Sequence, residues 1–295
     1  MKILILGATG MIGHTLWMGL SDNHSVSALI RKSRDDLSTF SNIEQLNIID
    51  QVDVLDLDLL EEILVDVKPD IVFNCVGIVK QLSLSQDHIH SIELNSLFPH
   101  KLAKLCRKEG ARMIQFSSDC IFDGQKGMYV ESDYPNASDL YGKSKAMGEI
   151  DYLDNVLTLR TSFIGRELFP HGGLINWLES QHGKVIKGFS NAIYSGLPTQ
   201  TFIHILNDYI FRKPKLNGLY HLSSQPIDKY SLLIMAKDTL GLQVEIDKDT
   251  NFEINRSLDS SKFTNDFGYS APVWGELIKD LGIRSEFYKK LSGIT

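Results

Sequence analysis

Cysteine is scarce in this chain. Of 295 residues only Cys75, Cys106 and Cys120 are cysteines, and no two stand in a C-x-x-C spacing. An odd, sparse set argues against a disulfide framework or a zinc site and suits a reducing compartment. Long apolar runs are missing too. No stretch approaches the ~18 uncharged apolar residues of a membrane span. The N-terminal run behind Lys2 is too short for a signal-peptide core, so a cytoplasmic protein is expected. There is no basic excess. Thirty Lys and Arg against 37 Asp and Glu leave a net charge of −7, which favours neither nucleic acid nor an anionic membrane surface. Repeats, low-complexity tracts and linkers are absent. No metal site is expected, since His88 and His90 lie two apart on a helical stretch and point to different faces.

What is present is a composition ordinary for a globular protein, 43% hydrophobic and 23% charged, in a chain long enough for a large core. It opens on Met1-Lys-Ile-Leu-Ile-Leu-Gly-Ala-Thr-Gly-Met-Ile-Gly13. Ile3–Leu6 reads as a buried strand, and Ile12, Leu16, Trp17 and Leu20 as one side of a helix. Between them stand Gly7, Gly10 and Gly13. Strand, glycine turn, helix is how a doubly wound sheet offers backbone N–H groups and a helix N-terminus to a pyrophosphate. The spacing is G-x-x-G-x-x-G rather than G-x-G-x-x-G.

Ser25–Ile30 is a second strand, and Arg31 follows it. An acidic residue here, roughly twenty past the glycines, would bond the ribose 2′-hydroxyl of NAD, whereas an arginine accommodates a 2′-phosphate. NADP(H) is therefore the preferred cofactor, with NAD(H) left open. A third short strand is expected to end in Asp50–Asp56, with a helix over 57–67. Ile71–Gly77 is a further strand, its end carrying Asn74, Cys75 and Gly77. A helical pattern runs from Ser85 to about Glu109, interrupted or restarted at Pro99 and capped by Gly110. Ala111–Phe116 is a strand that runs into Ser117-Ser118-Asp119-Cys120. Val156–Phe163 is another. Strand and helix thus alternate about six times in the first 165 residues, which predicts a parallel sheet covered on both faces. The fold class expected is α/β: a doubly wound parallel (Rossmann) domain over 1–165, and a smaller mixed substrate lobe over 166–295 with segments returning to the first. Helices are expected near 174–182, 201–212 and 229–240.

Tyr141 and Lys145 stand four apart at the start of a helix and share a face. A tyrosine with an ordinary pKa near 10 needs a shift worth roughly 4 kcal/mol to exchange protons near neutrality. An ammonium about 4 Å away, at an effective dielectric near 20, supplies that amount. Ser118 would hydrogen-bond the same substrate oxygen and polarise a carbonyl.

With these pieces in order, the chain resembles an extended short-chain dehydrogenase/reductase, and more narrowly the dTDP-4-dehydrorhamnose reductase group of sugar-nucleotide reductases. The matching segments are Gly7–Gly13, Asp53-Val-Leu-Asp56, Asn74-Cys-Val-Gly77, Asn95, Ser117–Gly124, Tyr141-Gly-Lys-Ser-Lys145, Arg160-Thr-Ser162, Gly218–Leu222 and Asn255–Lys262. The resemblance implies that Gly7, Gly10 and Gly13, with Thr9, Met11 and Ile12, hold the pyrophosphate. Asp53 and Val54 would meet the adenine. Cys75, Val76, Gly77 and Asn95 would line the cofactor's path. Tyr141 would donate the proton, and Lys145 would bond the nicotinamide ribose and tune the tyrosine. Ser118 stands where the reductases usually carry Thr and keeps the hydroxyl. Lys80, Ser118, Asp119, Ser162 and Asn176 are the substrate contacts implied. Lys187 and Arg212 join Asn176 as candidates for the diphosphate or base, where surface polarity explains each equally well.

Three reactions compete on such a scaffold. A 4,6-dehydratase would place an Asp-Glu pair after the Ser/Thr, and here Asp119 is followed by Cys120. A 4-epimerase uses the same Tyr, Lys and Ser. The Ser-Asp-x-x-Phe-Asp-Gly run favours a reductase that acts on a 4-keto nucleotide-linked deoxysugar in cell-surface polysaccharide biosynthesis. A non-catalytic NADP-binding regulatory subunit is the reading from another class, and the intact Ser118, Tyr141 and Lys145 weigh against it. The base of the nucleotide is open. A homodimer is compatible with the sequence, which does not fix the oligomeric state.

Overall fold

Alternation of buried side chains in short strands sets the architecture. The computed structural model describes residues 1–37, 47–79, 86–169, 172–213, 215 and 217–283. Six strands come first: β1 (Lys2–Leu6), β2 (Ser25–Leu29), β3 (Asn47–Ile49), β4 (Ile71–Asn74), β5 (Arg112–Phe116) and β6 (Val156–Arg160). Then follow β7 (Phe163–Ile164), β8 (Val185–Tyr194), β9 (Leu197–Pro198), β10 (Gly218–His221), β11 (Ile227–Asp228) and β12 (Glu245–Asn255). A seven-stranded sheet has the order β10-β6-β5-β4-β1-β2-β3. Every pairing in it is parallel.

In such a sheet both faces must be covered, and alternate residues feed two separate cores. Ile3, Ile5, Phe73, Ile114, Phe116 and Leu159 enter one cluster, with Leu16, Trp17 and Leu20 of helix α1 (Met11–Leu20). Leu4, Leu6, Val72, Met113 and Val156 enter the other, with Leu60 and Leu64 of α2 (Leu57–Val67). Each buried leucine of this kind contributes about 1.5–3 kcal/mol. The Asp56 carboxylate caps α2 by accepting the Leu59 N–H at 3.1 Å.

The expected long helix is present as α3 (His88–Ser91), a π-helical turn over Ile92–Leu97, and α4 (Phe98–Lys108). Its expected start at Ser85 lies outside the described residues. Pro99 falls in the first turn of α4, but the π turn runs into α4 with helical backbone throughout, so its missing N–H leaves the continuous helix one bond short. The π turn before it is the form the expected interruption takes.

Some boundaries differ from expectation. β2 stops at Leu29 and β3 at Ile49, so Asp53–Asp56 lies in the loop that leads to α2. The strand expected over Val156–Phe163 breaks after Arg160, and Phe163–Ile164 pairs instead with Leu197–Pro198. Helix α5 covers Leu140–Met147 and α6 covers Leu174–Glu179. Next come α7 (Thr199–Ile205), continued by a π turn over Leu206–Ile210, and α8 (Lys229–Leu240). A smaller mixed sheet has the order β11-β8-β12. β10 returns to the first sheet beside β6.

Candidate cofactor and substrate cleft

A cavity of about 410 Å³ opens at the carboxyl ends of β1, β4, β5 and β6. This is the crevice where open α/β sheets take ligands. Thr9, Gly10, Met11 and Ile12 line one side. Cys75, Val76 and Gly77 follow β4, Ser118 and Asp119 follow β5, and Ser162 follows β6. Tyr141 and Lys145 complete the wall from α5.

The glycine turn is built by close approach. Gly7 has φ +71°, and a Cβ there would lie 2.9 Å from the Cys75 carbonyl oxygen. A Cβ on Gly13 would run into the Gly7 carbonyl. Gly10 caps α1 with no side-chain hydrogen bond, and the first turn holds no acid. The first N–H groups of a helix have no intrahelical acceptor, and its positive end favours an anion. These residues fit a pyrophosphate at this point.

On the other side, α5 is capped by Asp139, whose carboxylate accepts the Gly142 N–H at 2.9 Å. Lys145 is 9% exposed and its Nζ donates to the Phe116 carbonyl at 2.6 Å. Burial pushes the Lys145 ammonium down to about 8, against the charge of Glu149. The Ser118 hydroxyl acts to lower the Tyr141 phenol. It also donates to Asp119 Oδ1 at 3.1 Å and accepts the Cys120 N–H at 3.1 Å. Burial first, then the neighbouring Cys120, Asp119 and Asp139, holds Tyr141 above its ordinary value, with Ser118 pulling the other way. Burial dominates at Tyr141, and the Lys145 ammonium is engaged with the Phe116 carbonyl. Burial likewise raises the Asp119 carboxyl, opposed by Lys229 and Arg256.

Other expected residues stand apart from the cavity. Arg31 is exposed at the end of β2, next to the end of β3, where the Val52 N–H reaches the Ile30 carbonyl at 3.2 Å. Asp53 and Val54 follow on that neighbouring strand's loop, and Asp53 Oδ1 accepts the Leu55 N–H. Asn95 is a strut. It exchanges bonds with the Ile78 backbone at 2.9 and 3.1 Å and donates to Ser144 at 3.1 Å, tying the loop after β4 to α5. Asn176 accepts the Glu167 N–H at 2.8 Å and does not line the cavity. Lys187 pairs with Asp249 and Arg212 with Asp208, so neither candidate lies at the cleft. Lys80 lies outside the described residues.

Sequence reading missed Thr161, Phe163, Glu167, Phe169 and Gly173, which also line the cavity. The Glu167 carboxylate accepts the Gly173 N–H at 3.0 Å, and Lys32 sits 4.5 Å over the Phe169 ring. An irregular loop carries no periodicity, and the sequence pattern runs the strand on to Phe163, so no local pattern signalled it. Among the described residues no His/Cys/Asp/Glu group has a metal-binding arrangement, and no helix is long and apolar enough to cross a membrane.

Known proteins agree with this architecture. Methionine adenosyltransferase 2 subunit beta of Xenopus laevis is 31% identical over 255 residues, 82% of this chain and 72% of that protein. Against several mammalian proteins of that name the match spans 44% of their length, less than half. A dTDP-4-dehydrorhamnose reductase of Aggregatibacter actinomycetemcomitans is 24% identical over 311 residues, 97% of this chain and 99% of that protein. The structure of dTDP-4-dehydrorhamnose reductase from Bacillus anthracis in complex with NADP shares the fold, with TM-score 0.76 and 17% identity over 96% of this chain and 99% of that one. The family profile described as RmlD substrate binding domain matches residues 1–172. With the parallel sheet, the glycine turn and the Ser118, Tyr141 and Lys145 wall, the chain belongs to the RmlD substrate-binding domain family, whose fold it shares with the sugar-nucleotide reductases.

Proposed function

We propose that this protein is an oxidoreductase that uses NADPH to reduce the keto group of a 4-keto nucleotide-linked deoxysugar. The observation that carries the reading is that Ser118, Tyr141 and Lys145 line the same cavity as the glycine turn. Met11 and Ile12 would hold the pyrophosphate on the α1 N-terminus, and Arg31 the 2′-phosphate. The bound cofactor supplies the hydride. Ser118 would hydrogen-bond the keto oxygen, and Tyr141, kept a neutral phenol by burial, has the proton that oxygen needs. Lys145 would meet the ribose and place a positive charge beside the developing oxyanion. Asp119 and Ser162 are the proposed sugar contacts.

The test is a panel of dTDP- and UDP-linked 4-keto-6-deoxysugars with NADPH, following its oxidation. Turnover is expected, and Tyr141→Phe should lower it by about 10²–10⁴-fold while cofactor still binds. No consumption of NADPH with any sugar, or near-normal turnover by the variant, overturns the reading. Cofactor that stays bound and is not consumed points to an epimerase. The resemblance to the Xenopus laevis subunit beta favours a second reading, a cofactor-binding subunit of another enzyme. NADPH binding with no turnover, together with a stable complex on addition of a methionine adenosyltransferase catalytic subunit, would select it.

A further inference from the structure

Behind the cavity lies a buried ion pair that the proposed chemistry does not use. Glu149 is 9% and Arg160 4% exposed in their side chains. Arg160 Nε and Nη2 donate to the two Glu149 oxygens, each at 2.8 Å. Glu149 Oε1 also accepts the Ser117 hydroxyl at 2.6 Å. Phe116, the residue before Ser117, receives the Lys145 ammonium on its carbonyl. One dipeptide at the end of β5 therefore binds Lys145 through its backbone and Glu149 through its side chain. Glu149 lies two residues past the end of α5, where its N–H still reaches the Ala146 carbonyl at 3.3 Å. Arg160 is fixed in turn by the Glu131 carbonyl at 3.1 Å and by His221 Nε2 at 3.2 Å.

We propose that Glu149 is a positioning residue, held by Arg160 and Ser117, that keeps Lys145 an ammonium under the cavity. A buried ammonium whose hydrogen-bond partner is a neutral carbonyl needs a nearby negative charge to stay protonated. The groups that act on Lys145 are Glu149 from beyond its own helix, Cys75 from the end of β4 and the Phe116 carbonyl from β5. The Cys75 thiol is itself raised by burial, so at neutral pH it is uncharged and Glu149 is the working counter-charge. Arg160 offsets part of that charge and orients the carboxylate so that one oxygen reaches Ser117.

The inference concerns the site of the proposed reductase, but its test does not depend on turnover. Lysines labelled with ¹³C at Cε are titrated by NMR, and the Lys145 signal is identified as the one lost in Lys145→Arg. Glu149→Gln keeps the side-chain shape and an oxygen for Ser117 while removing the charge. The Lys145 midpoint is expected to fall by at least about one pH unit, the low end for an opposite charge at close range. A midpoint unchanged in the folded variant overturns the proposal. Should Glu149→Gln fail to fold because Arg160 is left unpaired, the double variant Glu149→Gln/Arg160→Met removes both charges, a replacement buried pairs often tolerate. A folded double variant that titrates as the wild type also overturns the proposal, and one with a lowered midpoint supports it. Loss of NADPH turnover in the wild type would sink the reductase reading and leave this result standing.

Discussion

Alanine at Gly7 would test whether the first glycine of the turn is there for its backbone freedom and its closeness to the next strand. The native φ is +71°, and the added Cβ would meet Cys75 O at 2.9 Å, Cys75 C at 3.0 Å and Val76 N at 3.1 Å. All three atoms are backbone, so no side chain can turn away. Ordinary contact begins at 3.4 Å, and the two strand ends must part by about 0.5 Å. A left-handed conformation costs about 1–2 kcal/mol for a residue with a Cβ, and overpacking typically adds about 1–3 kcal/mol. A stiffer unfolded chain returns about 0.4–1 kcal/mol. The net expectation is a loss of roughly 1–4.6 kcal/mol. Urea unfolding followed by tryptophan fluorescence measures it, with Trp17 buried in the adjoining helix as a reporter. Because Cys75 and Val76 line the cleft opposite the turn, NADP affinity should also fall by tenfold or more, about 1.4 kcal/mol. Gly275→Ala is the control. That glycine sits in the short helix Trp274–Leu277 with nothing within 4 Å of an added Cβ, so the change should stabilise by about 0.5–1 kcal/mol. Wild-type stability and NADP affinity in Gly7→Ala would refute the close-approach argument.

Further outcomes are expected. Arg31→Glu should reduce the NADP over NAD preference by about tenfold or more, as measured by equilibrium titration of each cofactor, because a carboxylate repels the 2′-phosphate and accepts the 2′-hydroxyl. Turnover of the proposed reductase should decline above about pH 8 as the Lys145 ammonium deprotonates, and a profile flat from pH 7 to 10 would contradict that role. His221 is fully buried, donates from Nδ1 to the Tyr129 carbonyl at 2.9 Å and accepts from Arg160, which assigns the neutral tautomer. Burial and the Arg160 charge lower it from 6.5 to about 3. Between those values the unfolded chain binds the extra proton, so stability is lost as pH falls below 6.5, by about 2 kcal/mol at pH 5. His221→Gln should be less sensitive to that change, as read from urea midpoints at pH 7 and pH 5.

The parts of the site that could be read in advance are those written in short-range patterns. The glycine turn declares itself because a tight strand-to-helix connection needs residues without Cβ atoms at fixed offsets. Tyr141 and Lys145 declare themselves because four residues are about one helical turn. Asn95 was recognised as a matching position, but its role as a strut between Ile78 and Ser144 depends on two segments distant in sequence. Asn176, Lys187 and Arg212 were chosen by residue type alone, and Lys187 and Arg212 proved to be engaged with Asp249 and Asp208 in ion pairs that no local pattern encodes. β8 and β12 were not foreseen, since a sheet with one solvated face tolerates many polar residues and its pairing is long-range.

By itself the sequence determined the parallel sheet, through apolar runs of strand length spaced by helical periods, and the order in which its chemistry-bearing residues leave the strands. Only the tertiary structure decided what those residues touch. It broke the strand at Thr161-Ser162, brought Glu167 and Phe169 over the cleft, and bound Lys145 to the Phe116 carbonyl. It also set burial as the dominant influence on Tyr141 and paired Glu149 with Arg160 behind it. Local periodicity records how each segment folds, whereas burial and electrostatic environment belong to the assembled neighbours and exist only once the segments have packed.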